Sequence, residues 1–175
     1  MSGPEYDLWY WPSIQGRGEF VRLLMQAAGI TYRDRARSDG VEALVDDMER
    51  RSKSDEFAPY APPYLVERES GFGIAQVAHI VTWLTDRHGL GTGDGAKDLH
   101  LIQLQLTISD MVAEVHNVHH PIAGGLYFDD QKDAAIRAAE AFRDERIPKF
   151  FDHFENALGI CDGPFVAGTK WSHVD

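Results

Sequence analysis

Three histidines stand together in "HNVHHP": His116, His119 and His120. His116 and His120 are four residues apart, so on a helix they share a face and could hold a metal ion between them. No Glu or Cys with ligand spacing accompanies them, and protein metal sites draw on three or four ligands. The expectation is no metal, with the bland alternative of helix-end and packing histidines. Reactive groups are sparse elsewhere. The single cysteine, Cys161, excludes an intrachain disulfide and fits a reducing compartment. Tyr10 and Ser13 place two hydroxyls at the end of the aromatic run "YDLWYW". Either can donate a hydrogen bond, but Tyr10 also reads as a strand aromatic filling the core and Ser13 as a turn or cap residue. Ser172 and Asp175 have the spacing of a capping box, with Trp171 where a hydrophobic staple begins.

The elements that would carry these groups change character along the chain. "YDLWYW" (6–11) is short, apolar and ended by Pro12, which predicts a buried strand. Phe20, Leu23, Leu24, Ala27 and Ala28 follow helical spacing, and Gly29 stops that helix. A second strand is expected over 30–36, a helix over 41–51, and a hairpin over 62–75 with its turn at Glu69–Gly71. Val77, Ile80, Val81 and Leu84 mark another amphipathic helix. The glycines between 89 and 95 read as a linker. Beyond it the pattern is helical throughout. Leu101, Leu104, Ile108, Met111 and Val115 make one stripe of a helix over 98–120, ended by Pro121. A second helix over 130–158 carries Phe142, Ile147, Phe150, Phe154 and Leu158, with a kink at Pro148.

Composition bounds the function classes. The chain has 175 residues, 43% hydrophobic and 26% charged, with a formal net charge of −11. That charge argues against a nucleic-acid binder, which would show a basic patch. No apolar run approaches the roughly 18–20 residues of a membrane helix. The N-terminus has no basic flank or signal-type stretch. The reading is a soluble cytoplasmic protein.

Three stretches, in order, resemble the cytosolic glutathione transferases. "YWPSIQGRGEFVRLLMQAAGITY" is similar to their first strand and helix, above all the Gly-Arg-[Gly/Ala]-Glu stretch of the tyrosine-type classes. "PPYLVERESGFGIAQVAHIVTWLTDRHGL" resembles the cis-proline hairpin and third helix, and "GPFVAGTKWSHVD" the motif that opens the sixth. The likeness covers the whole chain and is to tyrosine-type, bacterial-like members. It implies a thioredoxin-like glutathione-binding domain, β-α-β-α-β-β-α, at 1–88. An α-helical domain at 97–175 follows. In the family the Ser-x-x-Asp opens a long buried helix with more helices after it, so the natural protein is expected to continue past Asp175.

The resemblance also assigns roles. Glutathione's thiol reacts as the thiolate, and a free thiol has a pKa of roughly 8.5, so the enzyme must stabilise the anion. Tyr10 sits where the family's tyrosine sits, seven residues before Arg17 rather than the usual six. Ser13, four before Arg17, matches the serine-type classes. The "GRGE" that follows favours Tyr10, and the choice stays open. Arg17, Lys53, Pro62, Pro63, Gln76 and Val77 fall on glutathione-binding positions, with Pro63 the expected cis-proline. Pro62 has no N–H to donate, and Val77 stands where a hydroxyl usually binds the γ-glutamyl carboxylate. Asp110 matches the aspartate that reaches a partner subunit's glutathione. His116 and His120 fall on positions lining the pocket for the second substrate. The implied function is conjugation of glutathione to a small hydrophobic electrophile by a homodimer. Glutathione is then the co-substrate, with no other cofactor, metal, nucleic acid or membrane. The alternative is a non-catalytic binding or structural protein on the same fold.

Overall fold

Tyr6–Trp9 forms β1, the strand around which the first part of the chain is built. The computed structural model describes Gly3 and residues 5–175. They divide into two compact units, the first ending at Leu90 and the second spanning Gly91–Asp175.

In the first unit β1 pairs in parallel with β2 (Tyr32–Asp34) and antiparallel with β3 (Tyr64–Glu67). β3 pairs antiparallel with β4 (Gly73–Ala75), giving the order β2-β1-β3-β4. The helices are α1 (Gly16–Ala28), the short α2 (Arg35–Asp39), α3 (Val41–Ser52) and α4 (Val77–Arg87). Apart from α2, this is the expected β-α-β-α-β-β-α order. β2 is shorter than expected because Arg35 leaves the strand to start α2, where it pairs with Asp39 one turn on and with Asp7 of β1.

One helix face differs from expectation. α1 buries Val21, Leu24 and Met25, while Leu23 is 60% exposed. At about 100° per residue Leu23 lies about 200° round from Val21, on the far side of the helix from the stripe that Val21, Leu24 and Met25 bury. The stripe that does so starts at Val21 and includes a buried arginine, Arg22.

Beneath the hairpin, Asp47 of α3 accepts hydrogen bonds from the Tyr64 hydroxyl, Arg50 and Arg51, each at 2.7 Å. Burial would raise the Asp47 pKa, but those three bonds outweigh it and hold the carboxyl below its usual range. Its contribution to stability is therefore complete above the unfolded value of about 3.9 and is lost as pH falls through the folded one. Burial, with Asp47 beside it, pushes the Tyr64 hydroxyl well above its usual value. That contribution is complete below about pH 10 and is lost at higher pH. The urea midpoint of the first unit should be flat between these limits and fall below about pH 4. Trp9, stacked on Tyr64 with ring centroids 5.8 Å apart, reports it by fluorescence. Asp47→Asn should lower the plateau and flatten the acid fall; an unchanged acid limb would contradict this account.

In the second unit α5 runs Gly95–His119. It begins earlier than expected because Asp94, within the glycine-rich stretch, is its N-cap, accepting from the N–H groups of Ala96 and Lys97 at 3.0 and 3.4 Å. A 3₁₀ turn (Phe128–Gln131), α6 (Lys132–Ala141), a π turn (Phe142–Arg146) and α7 (Ile147–Gly159) replace the single helix expected over 130–158. Pro148 cannot donate to the carbonyl four residues back and its ring crowds it. The wider π turn just before Pro148 relieves that conflict.

The core of this unit gathers Leu101, Leu104, Ala157 and Val166, with Phe154, Ala167 and Val174 against it. The expected stripe on α5 does not stay buried to its end, since Val115 is 38% exposed. α6 carries mostly alanine on its apolar face and buries only Ala135, so it covers little there. Half of the expected capping box forms, the Ser172 hydroxyl taking the Val174 N–H at 3.3 Å in place of the Asp175 N–H. Asp175 accepts from the Ser172 N–H at 2.8 Å and the Ser172 hydroxyl at 2.7 Å, and its other oxygen accepts from the Val166 N–H at 2.9 Å. Among the described residues no helix is long and apolar enough to cross a membrane.

Candidate functional site

The sheet's register brings distant stretches of the first unit to one place. Trp9 pairs with Tyr64, and Tyr64 with Ala75. The next residue on each strand, Tyr10 after β1, Pro63 before β3 and Gln76 after β4, therefore leaves the sheet at the same end. Neighbouring strands lie about 4.8 Å apart, so these three rows span about 10 Å. An extended tripeptide reaches about the same distance.

Tyr10 is 5% exposed, and its hydroxyl accepts the backbone N–H of Arg17 at 2.9 Å. Among the described residues its own proton has no acceptor, so the hydroxyl can still donate. The donor N–H belongs to the first turn of α1, which directs the helix's positive end at the phenol oxygen. Loop 11–15 absorbs the extra residue between Tyr10 and Arg17. Gly16 takes φ +46°, and a Cβ there would lie 2.3 Å from the Tyr10 hydroxyl. Ser13 is exposed on that loop, with no hydrogen bond among the described residues. The Arg17 side chain is exposed and has no ion-pair partner among them.

The Pro62–Pro63 peptide bond is cis, as expected. Pro63 is buried and Pro62 half-buried. Gln76 is the only non-glycine residue with positive φ among the described residues, at φ 71° and ψ 120°. Such conformations cost roughly 1–3 kcal/mol and collect at functional sites. This one is held by the Ile80 N–H, which donates to the Gln76 carbonyl at 2.8 Å. Val77 is the first residue of α4, so its N–H and that of Ala78 have no partner within the helix. Lys53 ends α3, exposed and ion-paired with Glu49.

The remaining expected residues lie in the second unit. Asp110 is exposed on α5. His116 and His120 stack with ring centroids 5.0 Å apart and planes at 28°, while His119 turns instead toward Phe128. The His120 Nδ1 lies 3.2 Å from the Leu126 carbonyl and 3.3 Å from the Gln131 amide nitrogen. That amide already has the carbonyls of Ala123 and Leu126 at 3.2 and 3.1 Å. The pattern that satisfies all groups has Nδ1–H donating to Leu126, which leaves Nε2 as an acceptor. Among the described residues no three His, Cys, Asp or Glu side chains converge to hold a metal.

Residues 116–175 match the family model for the C-terminal domain of glutathione S-transferases. A prostaglandin synthase D of Nilaparvata lugens superposes with a TM-score of 0.68 at 18% identity, covering 98% of this chain and 76% of that one. The glutathione S-transferase from Ascaris lumbricoides superposes with a TM-score of 0.64 at 23% identity, again covering 98% and 76%.

The chain has the glutathione S-transferase fold.

A third structure on this fold, a glutathione S-transferase of the hookworm Necator americanus described as monomeric, is 18% identical with a TM-score of 0.63 over 97% of this chain and 75% of its own. No curated protein sequence matches the chain. In this glutathione S-transferase fold, three residues escaped the sequence reading. A charged Arg22 reads as helix surface, although Glu19 three residues before it signals an ion pair. Gly18 reads as a helix former of low propensity rather than as space for a ring. Gln131, buried beneath the 120–126 loop, left no local signal.

Proposed function

We propose that the protein binds glutathione and conjugates it to small hydrophobic electrophiles, as a tyrosine-type, detoxifying, cytoplasmic homodimer. The observation that carries the reading is Tyr10, whose hydroxyl takes the Arg17 N–H and keeps its own proton to give, at the sheet end it shares with Pro63 and Gln76. That arrangement fits stabilisation of a thiolate. The thiol proton leaves to solvent, the Tyr10 O–H donates to the sulfur anion, and the sulfur attacks the electrophilic carbon, forming the S–C bond as the leaving group departs. The N–H groups opening α4, with Gln76, receive the γ-glutamyl carboxylate. Arg17 and Lys53 supply positive charge to the peptide's carboxylates. Asp110 takes the amine of a glutathione on the partner subunit. His116 and His120 hydrogen-bond to the electrophile, which favours substrates that develop negative charge. No metal or further cofactor enters.

A second reading, a binding protein without catalysis, is favoured by Val77 and Pro62, which offer apolar groups where glutathione would take hydrogen bonds. Retention on immobilised glutathione, a thiolate absorbance band and turnover of an aryl halide together support the enzyme. Failure of all three leaves the second reading. In the same panel, His116→Ala and His120→Ala should shift preference among electrophiles by roughly 10-fold or more while glutathione affinity holds. Unchanged preference removes the histidines from the pocket.

A further inference from the structure

Arg22 is an arginine where a helix packed on a sheet would carry an apolar residue. It is 2% exposed on the same face as Val21 and Met25. Its Nε donates to Asp34 at the end of β2 at 2.7 Å, and Nη1 to Glu19 on its own helix at 3.1 Å. Nη1 and Nη2 also lie 3.5 Å from the carbonyls of Ile14 and Trp11, in the loop that follows Tyr10. The guanidinium carbon sits 5.6 Å from the centroid of the Tyr10 ring, within cation–π range. Burial would lower the Arg22 pKa, but the bonds to Asp34 and Glu19 outweigh it, so the group stays charged.

Buried ion pairs are poor devices for stability, because desolvation consumes most of their attraction. What this one does is geometric. It joins β2, α1 and the loop around one aromatic ring. Gly18 completes the seat. A Cβ at Gly18 would lie 2.3, 2.4 and 2.8 Å from the Tyr10 Cδ1, Cγ and Cβ. Its backbone is ordinary helix, where alanine is preferred to glycine. Only the ring excludes alanine here, at a place where the Gly-Arg-[Gly/Ala]-Glu pattern admits it.

We propose that Arg22 and Gly18 are positioning residues that hold the Tyr10 hydroxyl at the first turn of α1. The proposal rests on the assignment of Tyr10 as the thiolate donor. A displacement of about 1 Å at such a donor can lower the rate about 100-fold.

The test measures conjugation of glutathione to an aryl halide across pH, with the thiolate band of bound glutathione, in Gly18→Ala, Arg22→Lys and Arg22→Met. Each is made alone and with Tyr10→Phe. Gly18→Ala and Arg22→Met should lower kcat roughly 10- to 100-fold with glutathione KM changed less than about 3-fold, and move the acid limb of the rate profile to higher pH. Arg22→Lys, which keeps the charge but not the fork, should recover part of kcat. In the Tyr10→Phe background the same changes should add no further loss. Arg22→Met strands the Asp34 carboxylate and can unfold the unit; Gly18→Ala leaves every ion pair intact and then carries the test. Unchanged kcat and pH profile in folded Gly18→Ala overturns the proposal, as does an equal further loss on Tyr10→Phe, which would mean general damage. If Tyr10→Phe alone leaves rate and thiolate band intact, the Tyr10 assignment has failed, and the proposal with it.

Discussion

Tyr10→Phe is expected to lower the rate of glutathione conjugation roughly 100- to 1000-fold, the usual loss when one preorganised donor to a developing anion is removed. The ring stays, so the packing over Gly18 and beneath Arg22 is kept. What goes is one O–H, together with the acceptor of the Arg17 N–H. Circular dichroism and melting temperature should therefore change little. The thiolate band of bound glutathione should shrink at neutral pH and return as pH approaches the free thiol's value of about 8.5. Ser13→Ala, on an exposed loop, should leave rate and band near their starting values. Full activity in Tyr10→Phe with activity lost in Ser13→Ala would reverse the assignment and make this a serine-type site.

The second large effect concerns stability. Leu104→Ala should destabilise the second unit by about 2–5 kcal/mol, the range for deleting a leucine from a packed core. Leu104 is 0% exposed and belongs to a cluster of four buried residues. A cluster that small has few neighbours able to close over a cavity, so the loss should not fall at the low end. Leu106 is the control: two positions on along the same helix, it is 52% exposed, and Leu106→Ala should change stability by less than about 0.5 kcal/mol. Amide hydrogen exchange along α5 is the measurement, because it reads the second unit residue by residue. Equal protection in the two variants would place the core elsewhere.

Much of this architecture is legible in the sequence, for local reasons. "YDLWYW" is apolar but for Asp7 because β1 lies between β2 and β3 and buries Leu8 on one face and Trp9 on the other, so continuity rather than alternation was its signature. Ser172 and Asp175 satisfy each other across three residues, and spacing alone exposes such a pair. What was not legible depended on partners remote in sequence. Periodicity announced α1 but could not choose between Leu23 and Leu24. That choice belongs to the sheet. Arg22 is acceptable inside only because Asp34, twelve residues on, meets it. Asp94 was lost among glycines that read as a linker, although an Asp ahead of an apolar-periodic run is also a helix start. In the candidate site, the types of Tyr10, Pro63 and Gln76 were readable. Their convergence was a matter of strand register, which no short stretch carries.

Gln76 has a consequence for anyone redesigning the molecule. At φ 71° and ψ 120° a glycine would sit at ease, and a search guided only by thermal robustness would select one there. Under the proposed function, the residue that such a search discards is the one that stands beside the free N–H groups opening α4. Durability and ligand capture thus pull in opposite directions at a single codon. A library that varies this position maps the exchange rate between them more directly than any change deeper in the fold.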